Sequence, residues 1–550
     1  MDIRTRKFIN IFTLSAILLL GFGLRIYNVN FPSIGYHSIR ENEYLSMAQE
    51  MRRTNDFIAK RIYFYNAFEE KPGAKFHPRP PLISYQTLIA WKLFGENLWG
   101  ARLINIFFGV LAVLAIYFIA LLLFRDTLLS LYCALLLGIM PLAVFFSRNL
   151  MPESPAFFFM ILGSLFYLKF ISSFKKYNLF LGGILFSVAW LYEFNFLIGL
   201  FPFIFCFPFK SLFKSKNELL KTVAAFFSPY AIIAGVLMWL RHIGCWEFTG
   251  WEFAGVKFSQ IFTPAYWARY GRAIWWYTKG ENFTIVFLLT TLFGVITAFF
   301  KRGGLLNRYI IGWALSLIPY AMMCSELIKD ASFYQMPYLV LVCVSTTYTI
   351  LYISESIKEF IKKDIILSLM SLFLMAAILG VSIPFAHASL KRMHGTAFFG
   401  MDVAGESLRE FTRPGEHIFL YTHVQGKGIA RYARRYAGWT EDLEDFKDKE
   451  KRFNVRYICF YPAEFAFRLK ANNPSLFGYI QNNYHIKEAG LVAEQNSKVY
   501  YIILERGKGS DPETFLQSFS GPRELRTIYR VLGKYIFFYS LRPPIEEPQK

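Results

Sequence analysis

Long apolar runs separated by short charged breaks fill the first 386 residues of the chain. Several continue for about 18 or more residues with almost no charge, the length an α-helix needs to cross a bilayer. The pattern predicts eleven spans, near 8–27, 103–124, 127–147, 155–173, 178–193, 195–209, 222–240, 283–300, 309–327, 332–353 and 365–386. The fifth and sixth are short and meet at Glu193 and Asn195. Beyond 386 the pattern becomes polar and carries strand-like runs, HIFLYT (417–422), VRYICFY (455–461), VYYIIL (499–504) and YIFFYS (535–540). Helix-like stretches such as GIARYARRY and LFGYIQNNY lie between them, and Arg413-Pro414-Gly415 makes a turn leading in. That alternation predicts a small α/β domain. The expected architecture is a polytopic α-helical membrane protein, with a membrane domain at 1–386 and a soluble α/β domain at 387–550. The segment 28–102 forms a first outer loop with interfacial helices.

Charge sets the expected orientation. Arg4, Arg6 and Lys7 precede the first span; Lys175 and Lys176 follow the fourth; Lys210, Lys214, Lys216 and Lys221 follow the sixth. Lys301, Arg302 and Arg308 follow the eighth, and Lys358, Lys362 and Lys363 the tenth. With eleven spans all of these share one side, which the positive-inside rule makes the cytoplasm. The segment 28–102, the turn at Glu153, the loop 241–282 and the tail then face outward. The same rule accounts for much of the net charge of +21, and no nucleic-acid-binding signature accompanies it. At 55% hydrophobic and 19% aromatic over 550 residues the chain is more apolar than a soluble protein of its length. The first apolar run is too long for a signal-peptide core and no small-residue cleavage site follows, so it is expected as an uncleaved span. The six cysteines show no CxxC spacing; Cys133, Cys206, Cys324 and Cys343 fall in spans, and Cys245 and Cys459 stand alone.

Four polar clusters fall on the expected outer face. In His37-Ser-Ile-Arg40-Glu41-Asn-Glu43-Tyr44, helical spacing puts Arg40, Glu43 and Tyr44 on one face and turns Glu41 away. A carboxylate beside an arginine stays ionised and can take a proton from a hydroxyl; an interfacial helix with an i,i+3 ion pair explains the same residues. In His77-Pro78-Arg79-Pro80-Pro81-Leu82 the prolines hold Arg79 on an extended segment, where a planar guanidinium suits a phosphate. A rigid turn before ISYQTLIAWKLFG is the simpler reading of that stretch. Arg148-Asn-Leu-Met-Pro-Glu153-Ser154 lies between two apolar runs, and Glu153 there would also favour a helix N-terminus. Lys329-Asp-Ala-Ser-Phe-Tyr334-Gln-Met-Pro337 opens the tenth span, where a lysine ordinarily snorkels.

The ordered series Arg79-Pro80-Pro81-Leu82, Leu93-Phe94-Gly95 and Ala101-Arg102-Leu103, followed by an apolar helix, resembles the GT-C class of membrane glycosyltransferases. The protein O-mannosyltransferases and the lipid A aminoarabinose transferase are members of that class. SRNLMPESPAFFF resembles the class's Ser-Arg-x-x-x-x-Asp stretch with Glu153 in the acid position, and KDASFYQMPYLVL its Lys-x-x-x-Tyr-x-x-Pro element. The likeness covers about the first 340 residues in pieces. Many members carry Asp-Glu where this chain has Arg40-Glu41; others carry His-x-x-Arg-x-x-Asp, which His37, Arg40 and Glu43 match with Glu for Asp.

The resemblance implies inverting transfer of a sugar from a polyprenyl-phosphate carrier to an acceptor hydroxyl of a protein, glycan or lipid on the outer side. It makes Glu43 the base with Glu41 as alternative, and has Glu153 orient the acceptor or bind a helper group. Arg40, Arg79, Lys329 and Arg148 would neutralise the donor phosphate, and His37, Tyr44, His77 and Tyr334 would line the substrate site. No DxD motif for a nucleotide sugar occurs. The resemblance fixes no cofactor; a divalent metal held by His77 and an acid is compatible with the motif, although a lone histidine is more often structural. A transporter or flippase of lipid-linked sugars is the competing reading. A non-catalytic assembly protein is a third, on the strength of the two Glu-for-Asp changes.

Overall fold

The computed structural model describes residues 3–58, 62–64, 68, 80–209, 215–242, 262–301, 303–361, 365–492, 498–509 and 523–542. The chain divides into two compact units. One comprises Met1–Val29, Pro78–Gln86 and Leu93–Lys391; the other comprises Asn30–His77, Thr87–Lys92 and Arg392–Lys550.

The first unit is helical. Among the described residues six helices are long and apolar enough to cross a membrane, and up to eight if each of two bent pairs is one span. The pair Thr127–Ile139 and Pro141–Arg148 bends by 56°. Pro141 explains it: Met140 takes an extended ψ of 129° before the ring, which also lacks an N–H to continue the ladder. The pair Pro264–Asn282 and Thr284–Phe300 bends by 102° at Phe283. The run expected at 178–193 forms Lys176–Tyr192, only 17 residues. The next run is a 3₁₀ segment, Phe194–Leu200, and one turn, Phe203–Cys206. The run at 309–327 lies in Gly304–Ile328, with Pro319 inside it.

Lipid offers helices no hydrophobic incentive to associate, so small residues decide where they meet. Glu153–Ser173 and Lys176–Tyr192 cross at Gly163 and Gly182; a Cβ on Gly182 would stand 2.3 Å from the Tyr167 ring. Arg25 is buried in this unit, its Nη1 donating to the carbonyls of Gly21 (2.9 Å) and Gly138 (3.0 Å). The guanidinium thereby caps the C-terminal end of Thr127–Ile139, where the helix dipole favours a cation.

The second unit is built on a sheet of seven described strands: β1 His417–Thr422, β2 Tyr436–Gly438, β3 Tyr457–Tyr461, β4 Tyr484–Val492, β5 Lys498–Arg506, β6 Arg523–Val531 and β7 Lys534–Leu541. Their order is β2-β1-β3-β5-β4-β7-β6; β1 runs parallel to β2 and β3, and the other neighbours are antiparallel. Side chains alternate across the strands, so Ile418 and Leu420 join one apolar core and Phe419 and Tyr421 the other. Phe446, Leu476 and Ile480 from flanking helices fill the second core. The first takes in Phe31, Ile34, Tyr63 and Phe64 from the segment after the first span, together with Met401 and Leu408. A bridge from Gly35 to Ala397 ties that segment down.

Candidate functional site

In the sheet-bearing unit the helix Ser38–Thr54 carries the first cluster. His37 precedes it with a left-handed φ of 56° and its ring lies 4.2 Å from that of Tyr36. Burial, then the charge of Arg40, pushes the imidazole down to about 3, so His37 is neutral at physiological pH. The helix separates the two acids. Glu41 is only 3% exposed and accepts a hydrogen bond from the Ser33 hydroxyl. Ser33 is itself placed by its N–H, which donates to the Tyr432 hydroxyl at 2.8 Å. Glu43 is half-buried and lines a narrow cleft of about 10 Å³ with Asn42, Ser46, Tyr63, Phe64, Lys427 and Arg431. Arg40 is half-buried, while Tyr44 is 2% exposed and packs inward. The expected shared face of Arg40, Glu43 and Tyr44 is thus split by burial.

Neighbouring bonds fix this helix. Asn42 Nδ2 donates to the carbonyls of Ser33 (2.8 Å) and Ser38 (2.9 Å), and its Oδ1 accepts from Arg431 Nε at 2.6 Å. Glu50 accepts from Arg53 Nε at 2.7 Å and from the Tyr436 hydroxyl at 2.8 Å. Burial alone would raise the Glu50 carboxyl, but these donors outweigh it and hold the group below its ordinary value.

In the membrane unit Glu153 is fully buried in the first turn of Glu153–Ser173, where the positive helix end stabilises an anion. Its turn is held from beside: Ser154 Oγ donates to the Asn105 carbonyl at 2.9 Å, and Asn105 Nδ2 donates to the carbonyls of Asn149 (2.6 Å) and Met151 (2.8 Å). Gln86 donates to Asn105 Oδ1. Arg148, also buried, gives Nη1 to the carbonyl of Asn28 at 3.1 Å. Lys329 Nζ lies 3.1 Å from Asp330 Oδ2 and 5.1 Å from the centroid of the Tyr270 ring. Tyr334 is buried in the 3₁₀ segment Ser332–Tyr338, which packs on Pro141–Arg148 and Glu153–Ser173. The Phe333 and Phe146 rings meet at 5.4 Å. This unit therefore brings the Arg148, Glu153 and Tyr334 segments together. His77 and Arg79 lie outside the described residues.

Several residues beyond the sequence motifs belong to this neighbourhood. Glu281 accepts from Ser332 Oγ at 2.6 Å, and Asn282 Nδ2 donates to Gln335 Oε1 at 3.1 Å. Beside them opens an apolar cavity of about 510 Å³, lined by Tyr266, Trp267, Tyr320, Ile328, Tyr338 and Leu341, with Thr278, Thr291 and Gln335 among its polar members. Tyr270, under the Lys329 ammonium, packs on the lining residue Tyr266. The one sequence hint of this wall is the pair Glu281-Asn282 just before an apolar run. Among the described residues no group of three or more His, Cys, Asp or Glu side chains is placed to hold a metal ion.

Residues 15–248 match the family model described as dolichyl-phosphate-mannose-protein mannosyltransferase. An undecaprenyl phosphate-α-4-amino-4-deoxy-L-arabinose arabinosyl transferase of Pseudomonas aeruginosa (strain UCBPP-PA14) is 27% identical over 250 residues, 43% of this chain and 42% of that one. The chain thus spans less than half the length of the curated relatives it matches. The archaeal oligosaccharyltransferase AglB of Archaeoglobus fulgidus, solved with an inhibitory peptide and a dolichol-phosphate, superposes with a TM-score of 0.57 at 13% identity, over 96% of this chain and 80% of that one. ArnT of Cupriavidus metallidurans bound to undecaprenyl phosphate gives 0.54 at 13% identity, over 90% and 97%. The protein is an integral membrane protein with the fold of the GT-C membrane glycosyltransferases, and it resembles the protein mannosyltransferase and aminoarabinose transferase group within them.

Proposed function

We propose that this chain is an inverting glycosyltransferase that moves a sugar from a polyprenyl-phosphate-linked donor to an acceptor hydroxyl on the outer face of the membrane. The observation that carries the reading is the apolar cavity of about 510 Å³ whose aromatic wall leads to Lys329. A prenyl chain needs an apolar bed, and its phosphate needs a cation at the end of that bed. The relatives' names supply the chemistry: undecaprenyl phosphate is the carrier for one and dolichyl phosphate for the other.

Glu43 is the base. Its carboxylate takes the acceptor's proton as the acceptor oxygen bonds to the anomeric carbon; the bond from that carbon to the phosphate oxygen breaks, and polyprenyl phosphate leaves. Glu43 is favoured over Glu41 because it is only half-buried at the edge of a narrow cleft, whereas Glu41 is buried and committed to Ser33. Arg40, Arg79 and Lys329 neutralise the departing phosphate. Arg148, whose Nη1 also donates to the Asn28 carbonyl, adds a further cation for the donor phosphate. Glu153 orients the acceptor, while His37, Tyr44, His77 and Tyr334 shape the substrate site. The acceptor is a protein, glycan or lipid. The N-terminus lies in the cytoplasm, the membrane domain runs over 1–386, and both 28–102 and 387–550 lie outside.

The purified protein is tested with a panel of polyprenyl-phosphate sugars and candidate acceptors, following release of polyprenyl phosphate. We expect release from one donor and a loss of about 10²–10⁴-fold in Glu43→Gln, the usual contribution of a general base. Undiminished release in that variant removes Glu43 as the base. No release from any donor by folded protein overturns the reading in favour of transport or assembly.

A further inference from the structure

The cleft at Glu43 has a wall that no motif of the first 340 residues supplies. It is made by Lys427, Gly428, Ala430 and Arg431, from the 3₁₀ turn Val424–Lys427 and the helix Gly428–Ala433 that follow β1. Both elements pack directly on Ser38–Thr54. The close approach is built in at Gly428, where a Cβ would stand 2.6 Å from Asn42 Nδ2 and 2.9 Å from Met401 Cε. Arg431 fixes the wall in place through Asn42 Oδ1 and by lying 3.6 Å from the centroid of the Tyr432 ring. Lys427 brings its ammonium to 4.8 Å from the centroid of the Phe64 ring, another lining residue.

We propose that Lys427 is a positioning residue for the transfer, holding the Glu43 carboxylate in the orientation and charge state that a general base needs. This rests on the reading of Glu43 given above and assigns part of the catalytic apparatus to the C-terminal half of the chain. Among the described residues the charged and titratable groups that line the cleft with Glu43 are Tyr63, on the segment after its helix, and Lys427 and Arg431 on the opposing wall; Arg40 and Glu41 flank Glu43 along its own helix. Arg431 is hydrogen-bonded to Asn42, and Lys427 adds a second positive charge to the same wall. Burial lowers the Lys427 ammonium from its ordinary value and the Glu43 charge raises it, so the two groups feel each other. The attraction is reciprocal: a cation that is stabilised by a carboxylate lowers that carboxylate's own pKa.

The test is the pH profile of polyprenyl phosphate release by the full chain in wild type, Lys427→Met, Lys427→Arg and Glu43→Gln. Removing the cation raises the Glu43 pKa, so the acid limb in Lys427→Met should move to higher pH by about one unit. Activity one unit below the limb should then fall about tenfold, with little change on the alkaline plateau. Lys427→Arg should return the limb to its wild-type place. Lys427→Gln replaces the Met variant if the latter does not purify as folded protein. An acid limb that stays put in Lys427→Met, with Glu43→Gln inactive, overturns the inference and leaves Glu43 as the base. A raised KM for the acceptor with an unmoved limb also overturns it, since that marks a substrate contact. Full activity in Glu43→Gln removes the underlying reading.

Discussion

Two glutamates two positions apart have opposite fates, because the helix turns one into the protein and the other along a cleft. Glu41 is satisfied by Ser33, a residue of the preceding loop. Glu43 lines a cleft with Tyr63, Lys427 and Arg431. The residue letters suggested a shared chemistry; the burial separates it. A similar sorting applies to Asp402, which is buried against the Tyr529 hydroxyl near Tyr432. Burial raises its carboxyl to about 6, only partly offset by the Tyr529 bond. A raised folded-state value means that Asp402 stabilises the fold fully below the unfolded value near 4, and that this contribution is lost as pH rises through 6. Asp402→Asn keeps an acceptor for Tyr529 and removes the charge. Relative to wild type it should gain roughly 2 kcal/mol in unfolding free energy between pH 4 and pH 7. Chemical denaturation of both proteins at the two pH values checks this, and parallel curves would show that Asp402 does not titrate in that window.

Among the elements, the most legible were those with a strong period and no competing polar atoms. HIFLYT is β1 residue for residue, and the cores of β3, β5 and β7 fall within the expected runs. The sequence reading left out β2, β4 and β6. β2 has three residues, β4 is interrupted by His485, Lys487 and Glu488, and β6 is an edge strand with Arg523, Glu524, Arg526 and Arg530. Charges of that kind keep an edge from pairing with another chain and also erase its apolar alternation. GIARYARRY reads as one helix, yet the helix stops at Ala433, with Arg434 at a left-handed φ of 53°, so that Tyr436 can start β2. At this scale the Gly428 contact makes a sharp prediction. Gly428 has an ordinary helical φ of −57°, so a side chain there meets crowding and no backbone strain. Gly428→Val should cost about 1–3 kcal/mol by overpacking against Asn42 and Met401. Thermal unfolding of the purified protein measures it, and an unchanged midpoint would mean that the two helices are free to separate.

For the molecule as a whole, hydropathy announced a membrane protein, and the structure changed how the apolar runs are used. Eleven runs were expected to span; among the described residues six helices are long and apolar enough to do so, or up to eight if each bent pair is one span. The orientation inferred from lysine and arginine clusters makes a direct prediction. In a cysteine-reduced background, Glu416→Cys should react with a membrane-impermeant thiol reagent on intact cells, and Lys301→Cys only after permeabilisation. The reverse pattern would invert the topology. Composition and hydropathy by themselves determined that the chain is helical in the membrane and α/β near its end, because both periods are local properties of consecutive residues. The order of motifs determined the likeness to the GT-C class. Tertiary structure alone decided that Asn30–His77 shares a unit with Arg392–Lys550 and that Lys427 joins the Glu43 cleft. It also decided that an aromatic cavity forms beside Lys329. At the Glu43 cleft residues nearly four hundred positions apart meet through packing and hydrogen bonds, and no local pattern in the sequence encodes which partner a buried side chain will find.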